Sequence, residues 1–156
     1  MINAASRRAV RALVASLCLA GAALAQPAAQ TPCPNRDLAT RKAVFTTARG
    51  TFTYVVEVAR TTEQQACGMM FRDSMDRGRG MAFPMKPPRA TGFWMENTIL
   101  PLDLIFVSPA GRVLNVRRGL PYSREVLQSA GVTAEVIELN AGEADRIGLK
   151  PGDRVK

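Results

Sequence analysis

The chain has 156 residues, with 21 Lys and Arg against 13 Asp and Glu, a formal net charge of +8, three cysteines and no histidine. The absence of histidine excludes every mechanism that needs imidazole, including Ser-His-Asp and Cys-His catalysis and the usual His-ligated zinc centres. The length fits one domain with its own core, and nothing after the first 25 residues is long and apolar enough to span a membrane.

At the start of the chain, Arg7, Arg8 and Arg11 precede an almost wholly apolar stretch over residues 12–23, and Ala23-Leu24-Ala25 has the small-x-small pattern of a cleavage site. Residues 1–25 are therefore expected to be a secretory signal peptide cut after Ala25, which places the mature protein in the periplasm or outside the cell. The apolar run, about a dozen residues, is short for an uncleaved anchor. The bulky Leu17 before Cys18 argues against a lipoprotein. Removing 25 of 156 residues leaves 131, and the loss of three arginines takes the charge from +8 to +5. In an exported protein that charge suits phospholipid head groups or acidic glycans rather than nucleic acid, or is ordinary solvated surface. Cys18 leaves with the signal, and two cysteines in an oxidising compartment usually pair. A Cys33–Cys67 bridge would stabilise by about 3–4 kcal/mol on a chain-entropy argument. The alternative is two separate thiols, with Cys67 simply a small buried residue.

Residues 26–42 read as a linker or N-terminal arm, ordered where Cys33 pins it, and residues 43–156 as a single domain. Residues 42–48 and 51–59 are expected to be strands joined at Arg49-Gly50, since Phe52, Tyr54, Val56 and Val58 alternate with their neighbours. Thr61 followed by Gln64 is a capping-box pattern that opens a short helix, and Gly68 sits where it would stop. Residues 73–79 form a loop and 80–84 a short strand. Residues 86–89, with two consecutive prolines, are expected to be a surface connection outside any ladder. Residues 91–96 read as a strand with Phe93 and Met95 on one face and Trp94 on the other. Residues 102–107 are a near-continuous apolar strand, 108–111 a turn and 112–117 its hairpin partner. Residues 124–130 suggest a helical turn, 134–139 a strand, 142–147 a short helix and 153–155 a last strand. The whole predicts a mostly β, compact single-domain β-sandwich or barrel of short antiparallel strands with two short helices.

Four strings, VEVARTTEQQACGMMFR, GMAF, FWMENTILPLDLIFV and IELNAGEADRIGLKPGDRV, stand in that order over residues 56–155. In residues and spacing they closely resemble an uncharacterised bacterial and archaeal family, domain of unknown function 192, over about residues 43–156. The combination FWM-x-N-T-x-x-P-L-D is specific to it. The resemblance implies a compact, mostly-β fold. No activity, substrate or cofactor is assigned to the family, so it lends no catalytic residue. Cys67 departs from the family pattern, which makes the expected bridge local to this protein. The C-terminal GLKPGDRV also resembles a string of PDZ domains, but the rest of the chain does not follow that pattern, and physically the string is a helix end, a Pro-Gly turn and a strand start.

The candidate ligand site gathers around Trp94. Arg72, Asn97, Thr98 and Asp103 could line a pocket there, the indole stacking on a flat apolar face and the guanidinium holding a carboxylate or phosphate. Structurally, Asn97 and Thr98 would instead cap a turn while Asp103 pairs with Arg72 or with backbone N–H groups. A hydrolase using Asp103 with Glu96 or Glu57 as an acid–base pair is an alternative. Another is a periplasmic Cu(I)-binding protein using the thioethers of Met69, Met70, Met75, Met81, Met85 and Met95, residues that equally suit core packing. A structural module that docks a partner protein is a fourth. Arg77-Gly78-Arg79-Gly80 could hold an anion but lacks the ending of a phosphate loop. The expectation is a monomeric binding module for a small ligand or envelope partner, with no cofactor, no metal, no nucleic acid and no membrane span in the mature chain.

Overall fold

In the computed structural model, which describes Cys33 and residues 35–156, the domain begins with the expected hairpin. β1 (Thr40–Thr47) and β2 (Gly50–Val58) pair antiparallel from Thr40↔Glu57 to Thr47↔Gly50. Phe45 and Tyr54 turn inward from adjacent strands and meet edge to face, ring centroids 5.5 Å apart. The expected signal peptide, Cys18 and most of the arm lie outside the described residues.

The next strand, β3 (Arg79–Arg89), runs parallel to β2, with Val55↔Arg79 through Val58↔Ala82 in register. A parallel neighbour forces the chain to travel back along the sheet before it can pair. That crossover carries α1 (Thr62–Cys67). The remaining elements are β4 (Gly92–Phe93), β5 (Leu102–Val107), β6 (Val113–Gly119), β7 (Leu127–Gln128), β8 (Thr133–Asn140), α2 (Glu143–Ile147) and β9 (Arg154–Val155). Seven strands form one sheet in the order β6-β5-β8-β3-β2-β1-β9, and β4 pairs with β7 in a separate two-stranded ribbon. Apart from β2–β3, every pairing is antiparallel. The sheet curls until its two edges approach. Arg112 bridges Arg154, Val113 N–H donates to the Asp153 carbonyl at 2.9 Å, and Gly152 N–H donates to Val113 at 2.8 Å.

Three local expectations are corrected. Residues 86–89 belong to β3, which pairs with β8 through Pro84↔Glu135 and again at Arg89↔Thr133. The ladder is interrupted between those two positions, where Pro87 and Pro88 lack the N–H to continue it. The strand expected at residues 91–96 shrinks to Gly92–Phe93, because Met95 N–H leaves the ribbon to bond the Ser123 carbonyl at 2.8 Å. Residues 124–130 hold β7 rather than a helical turn, since pairing Leu127 with Phe93 buries its side chain.

Alternation along the central strands divides the core in two. On β8, Ile137 and Leu139 face one cluster with Phe45, Tyr54, Val56, Ile105 and Ile147. Val136 faces the other, with Met81, Phe83, Leu104, Phe106 and Met95. α1 and the β4–β7 ribbon lie over this second face, and the site forms between them and the sheet.

Candidate functional site

Local chemistry fixes α1 over the sheet. Thr61 and Gln64 form the expected capping box, with Gln64 N–H donating to Thr61 Oγ1 at 3.2 Å and Thr61 N–H to Gln64 Oε1 at 3.1 Å. Gly68 ends the helix at φ 49°, a left-handed conformation that side chains rarely adopt, and packs beside the Phe83 ring. The Cys33–Cys67 disulfide, with Cα atoms 5.5 Å apart, ties the arm to the last helical residue. The arm is held further by Asn35, whose amide donates to the carbonyls of Gln64 at 2.7 Å and Gly68 at 2.8 Å.

Between α1, the ribbon and the outer face of β3 and β8 lies a cavity of about 500 Å³. Its walls are apolar: Met69 and Met70 from the chain after α1, Phe83 and Met85 from β3, Phe93 from β4, and Val126. Trp94, 51 % exposed, and buried Thr98 complete one side, and Arg89 reaches it from the end of β3. The volume and the apolar lining with few polar groups are those of a small-molecule site.

Glu138 on β8 also lines this cavity and is only 4 % exposed. It stands opposite Met81 on β3 and Leu104 on β5, on the face where apolar residues otherwise alternate. Its Oε2 has no hydrogen-bond partner among the described residues. Burial pushes the carboxyl up to about 8, against a smaller downward pull from Arg72. A buried carboxyl without a donor is costly, and its presence in a cavity wall marks a functional candidate. Glu138 is not among the site residues predicted from the sequence. The available signal was a carboxylate inside the otherwise apolar Val136–Ile137–Glu138–Leu139 run of a central strand.

The residues grouped by the sequence are dispersed. Trp94 and Thr98 line the cavity; Arg72, Asn97 and Asp103 do not. Arg72 holds Glu57 through two hydrogen bonds, 2.8 Å and 2.6 Å, and donates to the Asn35 carbonyl at 2.7 Å. Donating these hydrogen bonds to Glu57 raises the Arg72 guanidinium further above its usual range. Asn97 is exposed on the bend at φ 54°, and its carbonyl accepts from Phe71 N–H at 3.0 Å. Thr98 Oγ1 donates to the Glu96 carbonyl at 3.2 Å. Asp103 is buried elsewhere, bound by Arg118 at 2.6 Å and by the N–H groups of Gly142 and Ala144 at 2.9 Å each. The carboxylates considered for hydrolysis are thus each held by a different arginine: Asp103 by Arg118, Glu57 by Arg72, Glu96 by Arg124. The methionines divide as well. Met81 and Met95 are fully buried packing residues, Met75 packs partly against the core, and Met69, Met70 and Met85 face the cavity. Of the arginines at 77–80, Arg79 opens β3.

The family profile described as an uncharacterised ACR, domain of unknown function 192, matches residues 43–156. Two crystal structures are similar. A protein of unknown function from Novosphingobium aromaticivorans DSM 12444 is 41 % identical with a TM-score of 0.76, the match covering 79 % of this chain and 89 % of that one. A protein from Sinorhizobium meliloti 1021, presented as a candidate transcription regulator, is 36 % identical with a TM-score of 0.73, covering 76 % and 94 %. No curated protein matches the chain.

Proposed function

The chain belongs to the domain of unknown function 192 family, and on that premise we propose that it is a small-ligand-binding module whose site is the cavity beside Trp94 and Glu138. The observation that carries this reading is Glu138. A central strand has no structural need for a carboxyl here, because among the described residues it neither pairs with a cation nor caps a helix, and its burial opposes its charge. A ligand group reaching into the cavity would supply the missing partner. The aromatic and thioether walls would cover an apolar body, with Trp94 stacking at the side open to solvent.

Export of this module rests on the composition of residues 1–25 and is supported by the Cys33–Cys67 bond, which persists in oxidising compartments. The mature charge of +5 then serves solubility or attraction to anionic surfaces. Binding rather than catalysis fits the carboxylates already engaged by arginines, which leave Glu138 as the single carboxyl on the cavity wall among the described residues.

The test is a thermal-shift screen of small aromatic and aliphatic compounds against the mature protein. A compound bound at a hundred times its Kd should stabilise by about 2.7 kcal/mol. Its effect should weaken in the Trp94→Ala and Glu138→Gln proteins and persist in Asp103→Asn. Binding that ignores Trp94 and Glu138 would place the site elsewhere.

A further inference from the structure

Resting on the cavity reading above, we propose that the ligand is an organic cation, an ammonium carried on an apolar body, and that Glu138 is its counter-charge. Arg72, on the crossover, is the nearby cation, but two hydrogen bonds commit it to Glu57 of β2. β3 and β5 place only Met81 and Leu104 opposite Glu138. Along the cavity wall, the titratable groups among the described residues are Glu138 itself and Arg89 at the end of β3, which is exposed. The ion pair of Glu57 and Arg72 sums to zero, so an ionised Glu138 is a negative charge inside an apolar wall with one oxygen unbonded.

A neutral ligand would leave that carboxyl protonated and add at most one hydrogen bond. An anion would meet repulsion from Glu138 in its ionised form. An ammonium supplies both the missing donor and the opposite charge, in surroundings where the pair is little screened. The walls suit the same ligand. Trp94, Phe93 and Phe83 line the cavity with aromatic rings, a kind of side chain that attracts cations, and Met69 and Met85 are polarisable packing partners for its hydrocarbon part. The raised carboxyl pKa agrees with this geometry. Without ligand the group keeps its proton near neutral pH, and the cation must displace that proton to bind.

Three probes that share a phenylethyl body test the assignment by calorimetry on the mature protein: 2-phenylethylamine, 2-phenylethanol and 3-phenylpropanoate. The ammonium should bind at least tenfold more tightly than the alcohol at pH 8. Its affinity should fall about tenfold for each pH unit below about 8, as Glu138 takes up its proton, while the alcohol's affinity stays flat. Glu138→Gln should abolish both the preference and the pH dependence. That variant removes a buried charge and keeps its shape, and the pH series on the unaltered protein reads the same coupling without it. Equal binding of ammonium and alcohol overturns the cation assignment and leaves the cavity as the site. Preference for the carboxylate overturns it in favour of Arg89. If none of the three binds, the cavity reading falls with it.

Discussion

Asp103 on β5 accepts a hydrogen bond of 2.9 Å from the backbone N–H of Ala144, so a strand carboxylate caps a helix far along the chain. The helix needs this. Its own N-cap residue is Gly142, which has no side chain to offer, and Asp103 Oδ2 receives both Gly142 and Ala144 N–H groups. Its other oxygen binds Arg118 at 2.6 Å, whose guanidinium is raised above its usual range by that bond.

Asp103→Ala therefore strips the partners from two backbone donors and removes a buried acceptor. The expected cost is about 2–4 kcal/mol, read as a lower urea midpoint with little change in slope. The half-exposed Arg118 contributes the smaller part, because water replaces its lost partner. Asp103→Asn keeps one acceptor and should fall between. Ligand affinity at the cavity should be unchanged in both variants, since Asp103 is not among its walls. A variant of normal stability that had lost binding would contradict this assignment.

Glu138 gives stability a pH dependence of the opposite sign to most carboxylates. Its carboxyl moves from an ordinary 4.5 to about 8 in the folded chain. Between those values the native state keeps a proton that the unfolded state has released, so stability falls as pH rises through this window. The slope is at most about 1.4 kcal/mol per pH unit. The penalty is absent below the window and constant above it. Glu143, whose carboxyl is lowered chiefly by its hydrogen bond from Arg146, works the other way and loses its contribution as pH falls through its own depressed range. Comparing the protein with Glu138→Gln isolates the first effect: the variant should be the more stable at pH 8, and the two curves should converge toward pH 5. Parallel curves from pH 5 to 8 would show that the carboxyl is not desolvated.

Why the sequence exposed the strands but misassigned the site follows from what each depends on. The β1–β2 hairpin, the apolar β5 and the Thr61–Gln64 cap are local patterns, readable from alternation, composition and spacing. The parallel placement of β3 is not local, and it requires the crossover that carries α1 over the face bearing Glu138. Asn97, Thr98 and Asp103 are neighbours in sequence, yet Pro101 and the start of β5 carry Asp103 to α2 while Thr98 stays beside the cavity. For Arg72 the sequence offers Asp103 as a partner, whereas the fold gives it Glu57 of β2, 15 residues earlier.

The disulfide should matter for the arm as well as for the loop it closes. Cys33→Ser is expected to cost about 3–4 kcal/mol by loop entropy, and it loosens the segment that places Asn35 against Gln64, Gly68 and Arg72. Non-reducing mass mapping should find the Cys33–Cys67 peptide. Thermal unfolding with and without reductant should separate by several degrees, whereas coincident curves would mean that the remaining arm contacts suffice.

Trp94 separates a binding role from a packing role most cleanly, because the two predict opposite results. Its side chain is 51 % exposed, so truncation removes little buried surface, and Trp94→Ala should change stability by less than about 1 kcal/mol. Phe83, 1 % exposed and also lining the cavity, is the contrast: Phe83→Ala should cost about 3–5 kcal/mol, as core aromatics do. For a cavity ligand stacked on the indole, Trp94→Ala should weaken binding roughly tenfold, the loss of about 1.4 kcal/mol of aromatic contact. A large stability loss with unchanged affinity would make Trp94 a packing residue and remove it from the site. The reverse pattern, a stable protein that binds poorly, is what an aromatic held at the solvent side of a ligand cavity produces.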